Sequence, residues 1–190
     1  HEIALYVSAS ELELHRSVVR DTQSASESGR GVVVQPHCTG EFGGPICHAN
    51  TAARAAIVHS LIEDNRDVGL VTMASSANLD GAVIKRTAPI TEIGTFGHGI
   101  VGYSEFGRAA VTTTRSLIVD NALAGLASSG AALGLGDTHV RCSGAFDLTS
   151  QTWEDEAPQW TDRGGNRCGC PDAIDECKIS AVTLEPPSAY

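Results

Sequence analysis

Aromatic side chains make up only 5% of the chain, methionine occurs once, and lysine stands at 85 and 178 alone. With so few aromatics, a core must be built from Ala, Val, Ile and Leu; the apolar fraction of 42% is ordinary for a globular protein. The shortage of cations, 13 Lys and Arg against 23 Asp and Glu for a net charge of −10, argues against nucleic acid as a partner. It argues equally against an anionic membrane face. Long apolar runs are missing too. The best candidate, LIVDNALAGLASSGAALGLG (117–136), contains Asp120 and Asn121 and is broken by glycines, so it does not read as a membrane span.

What the chain does have is six cysteines, an even number. It also begins at His1, although initiator methionine is removed efficiently only before small residues. Together these point to a processed, exported chain, extracellular or periplasmic, after loss of a signal segment. Up to three disulfides are then expected among Cys38, Cys47, Cys142, Cys168, Cys170 and Cys177.

Along the chain, IALYVSA (3–9), GVVVQ (31–35) and DVGLVTMA (67–74) read as strands rich in β-branched residues. Ser10 and Glu13 form a capping box that predicts a helix to about Thr22. NTAARAAIVHSLIEDN (50–65), with an apolar stripe at Ala53, Ala56, Ile57 and Leu61, predicts a second helix, and a small-residue helix is expected over about 117–133. Two or three antiparallel strands are expected between 82 and 119, with EFGR as a tight turn, and KISAVTLE (178–185) as a closing strand. These elements predict an α+β or mixed α/β fold: a single domain with antiparallel central strands, two to three helices and a disulfide-stapled C-terminal loop region. Residues 1–149 form its core, and 150–190 a Cys- and Trp-rich acidic excursion with the closing strand. No solenoid period is apparent, and the echo between PHCTGEF (36–42) and VRCSGAF (140–146) reads as coincidence.

The stretch HCTGEFGGPICH (37–48) carries the most chemistry. Neighbouring side chains in an extended segment diverge, so His37, Cys38, Cys47 and His48 fit a four-ligand clamp poorly. A disulfide between Cys38 and Cys47 closing a Gly-rich loop is the better reading. His37 and His48 would flank it, free to act as ligands or as a general base. A free His1 offers an amine and an imidazole to one metal, and zinc or copper are the ions that such donors, with His37, His48 or His98, would suit. In this terminal histidine alone the chain resembles the copper-dependent lytic polysaccharide monooxygenases. GYSEFG (102–107) approaches a nucleophile elbow but places Phe106 where a small residue is needed, leaving Ser104 a weak candidate. Cys168 and Cys170 are too close in sequence to bond each other easily, and should bridge outward to Cys142 or Cys177. The acidic run WEDEAPQWTD (153–162) reads as a solvated loop, a calcium ligand set or a Trp-bearing contact surface.

The favoured function on these grounds is an exported, disulfide-stabilised hydrolase with a His-based, metal-assisted site drawn from His37, His48, His98 and Ser104. The alternatives are an extracellular structural or self-assembling subunit, a homo-oligomer or filament, and a secreted carbohydrate- or protein-binding module.

Overall fold

In the computed structural model, which describes residues 2–23, 28–39, 46–90, 96–173 and 175–182, the segments read as helices are strands. Among the described residues the only helical elements are single 3₁₀ turns at Ala49–Thr51 and Pro171–Ala173. The α+β expectation with antiparallel central strands is therefore overturned. Three sheets of parallel strands take its place, and the chain visits them in rotation, A to B to C. The result is a parallel β-solenoid.

Sheet A contains β1 (Ile3–Ser8), β4 (Arg30–Gln35), β9 (Val68–Met73), β12 (His98–Tyr103), β15 (Ala124–Ser129), β18 (Phe146–Gln151) and β21 (Ser180–Ala181). Sheet B contains β2 (Glu11–His15), β7 (Arg54–Val58), β10 (Ser76–Asp80), β13 (Ala110–Thr114), β16 (Ala132–Gly136) and β19 (Gln159–Asp162). Sheet C contains β3 (Val18–Arg20), β8 (Leu61–Glu63), β11 (Val83–Lys85), β14 (Leu117–Val119), β17 (His139–Arg141) and β20 (Arg167–Cys168). An antiparallel pair, β5 (Cys38–Thr39) and β6 (Ile46–Cys47), projects between the sheet A and sheet B strands of the second turn.

Register stacks like on like. In sheet A, Leu5, Val32, Leu70, Ile100, Leu126 and Leu148 follow one another from turn to turn. Leu12, Ala55, Ala77, Val111, Leu133 and Trp160 do so in sheet B. In sheet C the column is Val19, Ile62, Ile84, Ile118, Val140 and Cys168. These columns meet in one central core. Each full Val, Leu or Ile side chain placed there contributes about 1.5–3 kcal/mol relative to exposure.

The corners explain why helices were expected. ELELHRSVVRDT (11–22), RAAIVHSLIEDN (54–65), SANLDGAVIKRT (76–87), AVTTTRSLIVDN (110–121) and ALGLGDTHVRCS (132–143) are equal-length copies of one bent unit. In each, a left-handed residue separates the sheet B strand from the sheet C strand: Arg16, His59, Gly81, Arg115 or Asp137. A second ends the sheet C strand: Asp21, Asp64, Arg86, Asp120 or Cys142. Two short strands with period-2 apolar positions, joined by a two-residue bend, spread their inward residues at the uneven spacing of a helical stripe. Of the stripe assigned to 50–65, Ile57 points to the core whereas Ala56 and Leu61 face outward. Ser10 caps no helix; its carbonyl accepts the Arg54 amide at 2.9 Å.

The bends are held by buried polar groups that join one turn to the next. Ser17 N–H donates to Ser60 Oγ at 3.1 Å, Ala82 N–H to Ser116 Oγ at 3.2 Å, and Thr138 N–H to Asn166 Oδ1 at 2.9 Å. At the following corner Thr22 N–H donates to Asn65 Oδ1 at 3.2 Å and Thr87 N–H to Asn121 Oδ1 at 3.1 Å. A glycine column, Gly31, Gly69, Gly99 and Gly125, runs beside it because there is no room for a side chain. A Cβ on Gly69 would lie 2.7 Å from the Gly99 carbonyl oxygen, and one on Gly99 2.7 Å from both Asn121 Nδ2 and the Gly125 oxygen.

The regular period was hidden by insertions at the corners on either side of sheet A. They include the β5–β6 pair, residues 104–109, and the stretch between β20 and β21. EFGR lies in one such corner, and the strands flanking it, β12 and β13, belong to different sheets. The Cys-Gly echo has no structural counterpart: Cys38 starts β5, whereas Cys142 is a left-handed corner residue after β17.

Candidate functional site

Three disulfides join Cys38 to Cys47, Cys142 to Cys170 and Cys168 to Cys177. The first closes the β5–β6 pair, where Cys38 and Cys47 are direct cross-strand partners. Beyond it, His48 N–H donates to the His37 carbonyl at 3.0 Å, and the two imidazoles face each other at 6.1 Å with planes 14° apart. Both histidines are exposed. The loop tip between them, and His1, lie outside the described residues. No group of three or more metal-ligating side chains forms among the described residues.

His98 lies elsewhere. It opens β12, 2% exposed, on the outer face of sheet A, and its backbone N–H donates to the Asp67 carbonyl at 3.0 Å. Burial pushes its imidazole down to about 4, and among the described residues Nδ1 has no hydrogen-bond partner. The neighbouring turn carries a buried ion pair on the same face. Arg30 Nε donates to Asp67 Oδ2 at 2.7 Å, with both side chains 2% exposed or less. Burial raises the Asp67 carboxyl and Arg30 opposes that rise.

Ser104 follows the far end of β12. At ~3.3 Å per strand residue it sits about 20 Å along the chain from His98. Its Oγ accepts the Ala109 amide at 3.0 Å, and the side chain is buried, which makes it a corner tie. Ser75 does the same for Ala53 at 3.0 Å. Thus His98, Ser104 and the His37–His48 pair occupy different places on the solenoid, and no hydrogen bond or ring contact among the described residues joins them.

Two groupings escaped the sequence reading. At the corner after β12, Tyr103 meets Trp153 edge to face at 4.7 Å. Burial holds the Tyr103 hydroxyl above the usual phenol range, with the Glu105 and Glu154 carboxylates adding to it. Burial also raises Glu105, partly opposed by the Tyr103 hydroxyl and reinforced by Glu154. Arg108 pairs with Glu156 at 2.9 Å beside them. The meeting of Tyr103 and Glu105 with 153–156 depends on stacking two turns apart. The second grouping is basic: His139, Arg141 and Arg167 line one cleft on sheet C with Gly169.

Comparison with family models, with curated protein sequences and with solved structures gives no match to this chain.

Proposed function

We propose that the chain is a non-catalytic solenoid module of an exported surface or matrix protein, a stiff spacer whose outward faces and corner insertions carry recognition. The observation behind this reading is the unbroken in-register ladder of sheet A from β1 to β21. Every turn is hydrogen-bonded to the next, at about 4.8 Å per turn. Such a body derives its stability from contacts between adjacent turns and keeps its shape along its length. Three disulfides are compatible with an oxidising compartment. The strongly acidic surface keeps such a module from non-specific contact with nucleic acid and anionic lipid.

A hydrolase would need a nucleophile within reach of a base, with the base oriented by a third group. The candidate side chains instead serve the scaffold: Ser104 ties a corner, and His98 is buried in its neutral form. The test has two parts. The oxidised chain is screened against ester, glycoside and peptide substrates, and its distribution between cell envelope, medium and cytosol is followed in the producing cell. No turnover, with the protein in the envelope or matrix fraction, is expected. Turnover abolished by His37→Ala, His48→Ala or Glu105→Gln, or a cytosolic location, would overturn the reading.

A further inference from the structure

We propose that His139, Arg141 and Arg167 form a binding cleft for a single oxyanion group, a sulfate or phosphate, on the outer face of sheet C. The site arises directly from register. In β17 and β20, His139 stands opposite Arg167 and Val140 opposite Cys168. Val140 and Cys168 belong to the core, so His139, Arg141 and Arg167 project from the other face. Adjacent strands are about 4.8 Å apart and alternate residues about 6.6 Å, so two guanidinium groups and an imidazole fall within reach of one another. They line a cleft of about 100 Å³ together with Gly169. By that measure it has room for several waters, and hence for one small oxyanion.

What sets this cleft apart is that two arginines without an ion pair among the described residues share it; Arg16, Arg66 and Arg163 also make none, but they do not line it. In a chain of net charge −10, Arg20, Arg30, Arg54, Arg86, Arg108 and Arg115 each lie within ion-pair distance of a carboxylate. Arg141, Arg167 and His139 make no ion pair among the described residues. Two carboxylates on the same turns accept backbone and amide donors instead of pairing with these arginines. Asp147 accepts Gly169 N–H at 2.6 Å and Ser143 N–H at 3.3 Å, and Asp162 accepts Gly164 N–H and Asn166 Nδ2 at 2.7 Å each. Two guanidinium forks facing one cleft suit the bidentate recognition of sulfate or phosphate.

The cleft is also held in shape. Cys142, next to Arg141, bonds Cys170, and Cys168, next to Arg167, bonds Cys177. The disulfides therefore cross-link the backbone immediately beside each arginine, which lowers the ordering cost of binding. The net charge of −10 disfavours extended polyanions and favours a ligand bearing one isolated anionic group.

The experiment is titration calorimetry of the oxidised chain at low ionic strength with sodium sulfate, inorganic phosphate and a monosaccharide sulfate ester. Saturable binding to one site is expected, weakening with added salt. Arg141→Gln and Arg167→Gln should each lose tenfold or more in affinity with unchanged thermal melting. Arg163→Gln, over Gly134 and Gly136 on sheet B, should leave it unchanged. A sulfate ester that binds more tightly than inorganic sulfate identifies a sulfated ligand; equal affinity identifies the free anion. No saturable binding to any of the three, or equal affinity in wild type and both arginine variants, would overturn the proposal.

Discussion

Sheets A and B are built from strands of similar length, yet they meet solvent differently. The strands β4, β9, β12 and β15 are buried along their whole length, whereas β7, β10 and β13 alternate buried with more exposed residues. The central strands of sheet A are covered on both faces. Its outer side carries a second apolar cluster of Val33, Val68, Val71, Met73, Val101, Tyr103 and Ala127. The outer side of sheet B carries polar or small residues, with Glu13, Ala56, Asn78, Thr112, Gly134 and Thr161 following one another. Identical backbone geometry thus supports two environments, and a given substitution should cost far more in one than in the other.

The glycines give the sharpest contrast. Gly125→Val places a Cβ 2.3 Å from Val140 Cγ1 and 2.8 Å from the Asp147 carbonyl. A clash with backbone cannot relax cheaply, so a loss above about 4 kcal/mol or failure to fold is expected. Gly134→Ala, also inside a strand but on the outer side of sheet B, has its nearest contact at 3.6 Å and should change stability by less than about 0.5 kcal/mol. Urea unfolding followed by circular dichroism measures both.

Charge pairs should behave likewise. Arg30→Leu leaves Asp67 buried without its countercharge and should cost about 3–5 kcal/mol. Arg54→Leu breaks an exposed pair with Glu11 on sheet B and should cost about 1 kcal/mol or less. Equal losses in the two variants would sink the distinction.

His98 adds a pH dependence specific to sheet A. Its folded pKa of about 4 lies below the ordinary 6.5, so the unfolded chain binds more protons between those values. The His98 contribution is fully present above pH ~6.5 and is lost as pH falls toward 4, by about 3 kcal/mol in total. His98→Gln should flatten that part of the stability profile, measured by denaturant midpoints across the window. The smallest effect belongs to sheet B: Asn78→Thr, on an exposed position of β10, should stay within about 0.5 kcal/mol and tend toward stabilisation, as a β-branched residue suits a pleated surface.

The same contrast decides what was legible beforehand. β1, β4 and β9 read as strands because sheet A strands are continuous apolar runs. β2, β3, β7 and β8 were misread as helices because each is too short to establish its own period and the left-handed bend between them imitates a helical stripe. β14 and the sheet A strand β15 fell in the small-residue helix expected over 117–133, and β11 and β13 were expected as strands but antiparallel. Arg115-Ser116 and Asp120-Asn121 mark both bends of one unit, as Asp64-Asn65 marks its counterpart, and these were the available signals. The x-Gly starts of RGVVVQ, VGLVTM, HGIVGY and AGLASS were another, and unequal corner insertions concealed the repeat. Of the site residues, the pairing of His37 with His48 followed from their symmetric placement about two cysteines. Neither the Tyr103–Trp153 corner nor the His139–Arg141–Arg167 cleft could be read, because their members come from different turns.

By itself the sequence determined the composition of the core, the strand character of the most apolar runs, the net negative charge, and a cysteine count compatible with disulfides. These are local or summed properties that survive without knowledge of contacts. Only the tertiary structure decided that all three sheets are parallel, that His98 is buried, and that His139, Arg141 and Arg167 line one cleft. Each depends on which turn stacks on which, and that register is set by apolar columns and corner hydrogen bonds between residues far apart in the chain.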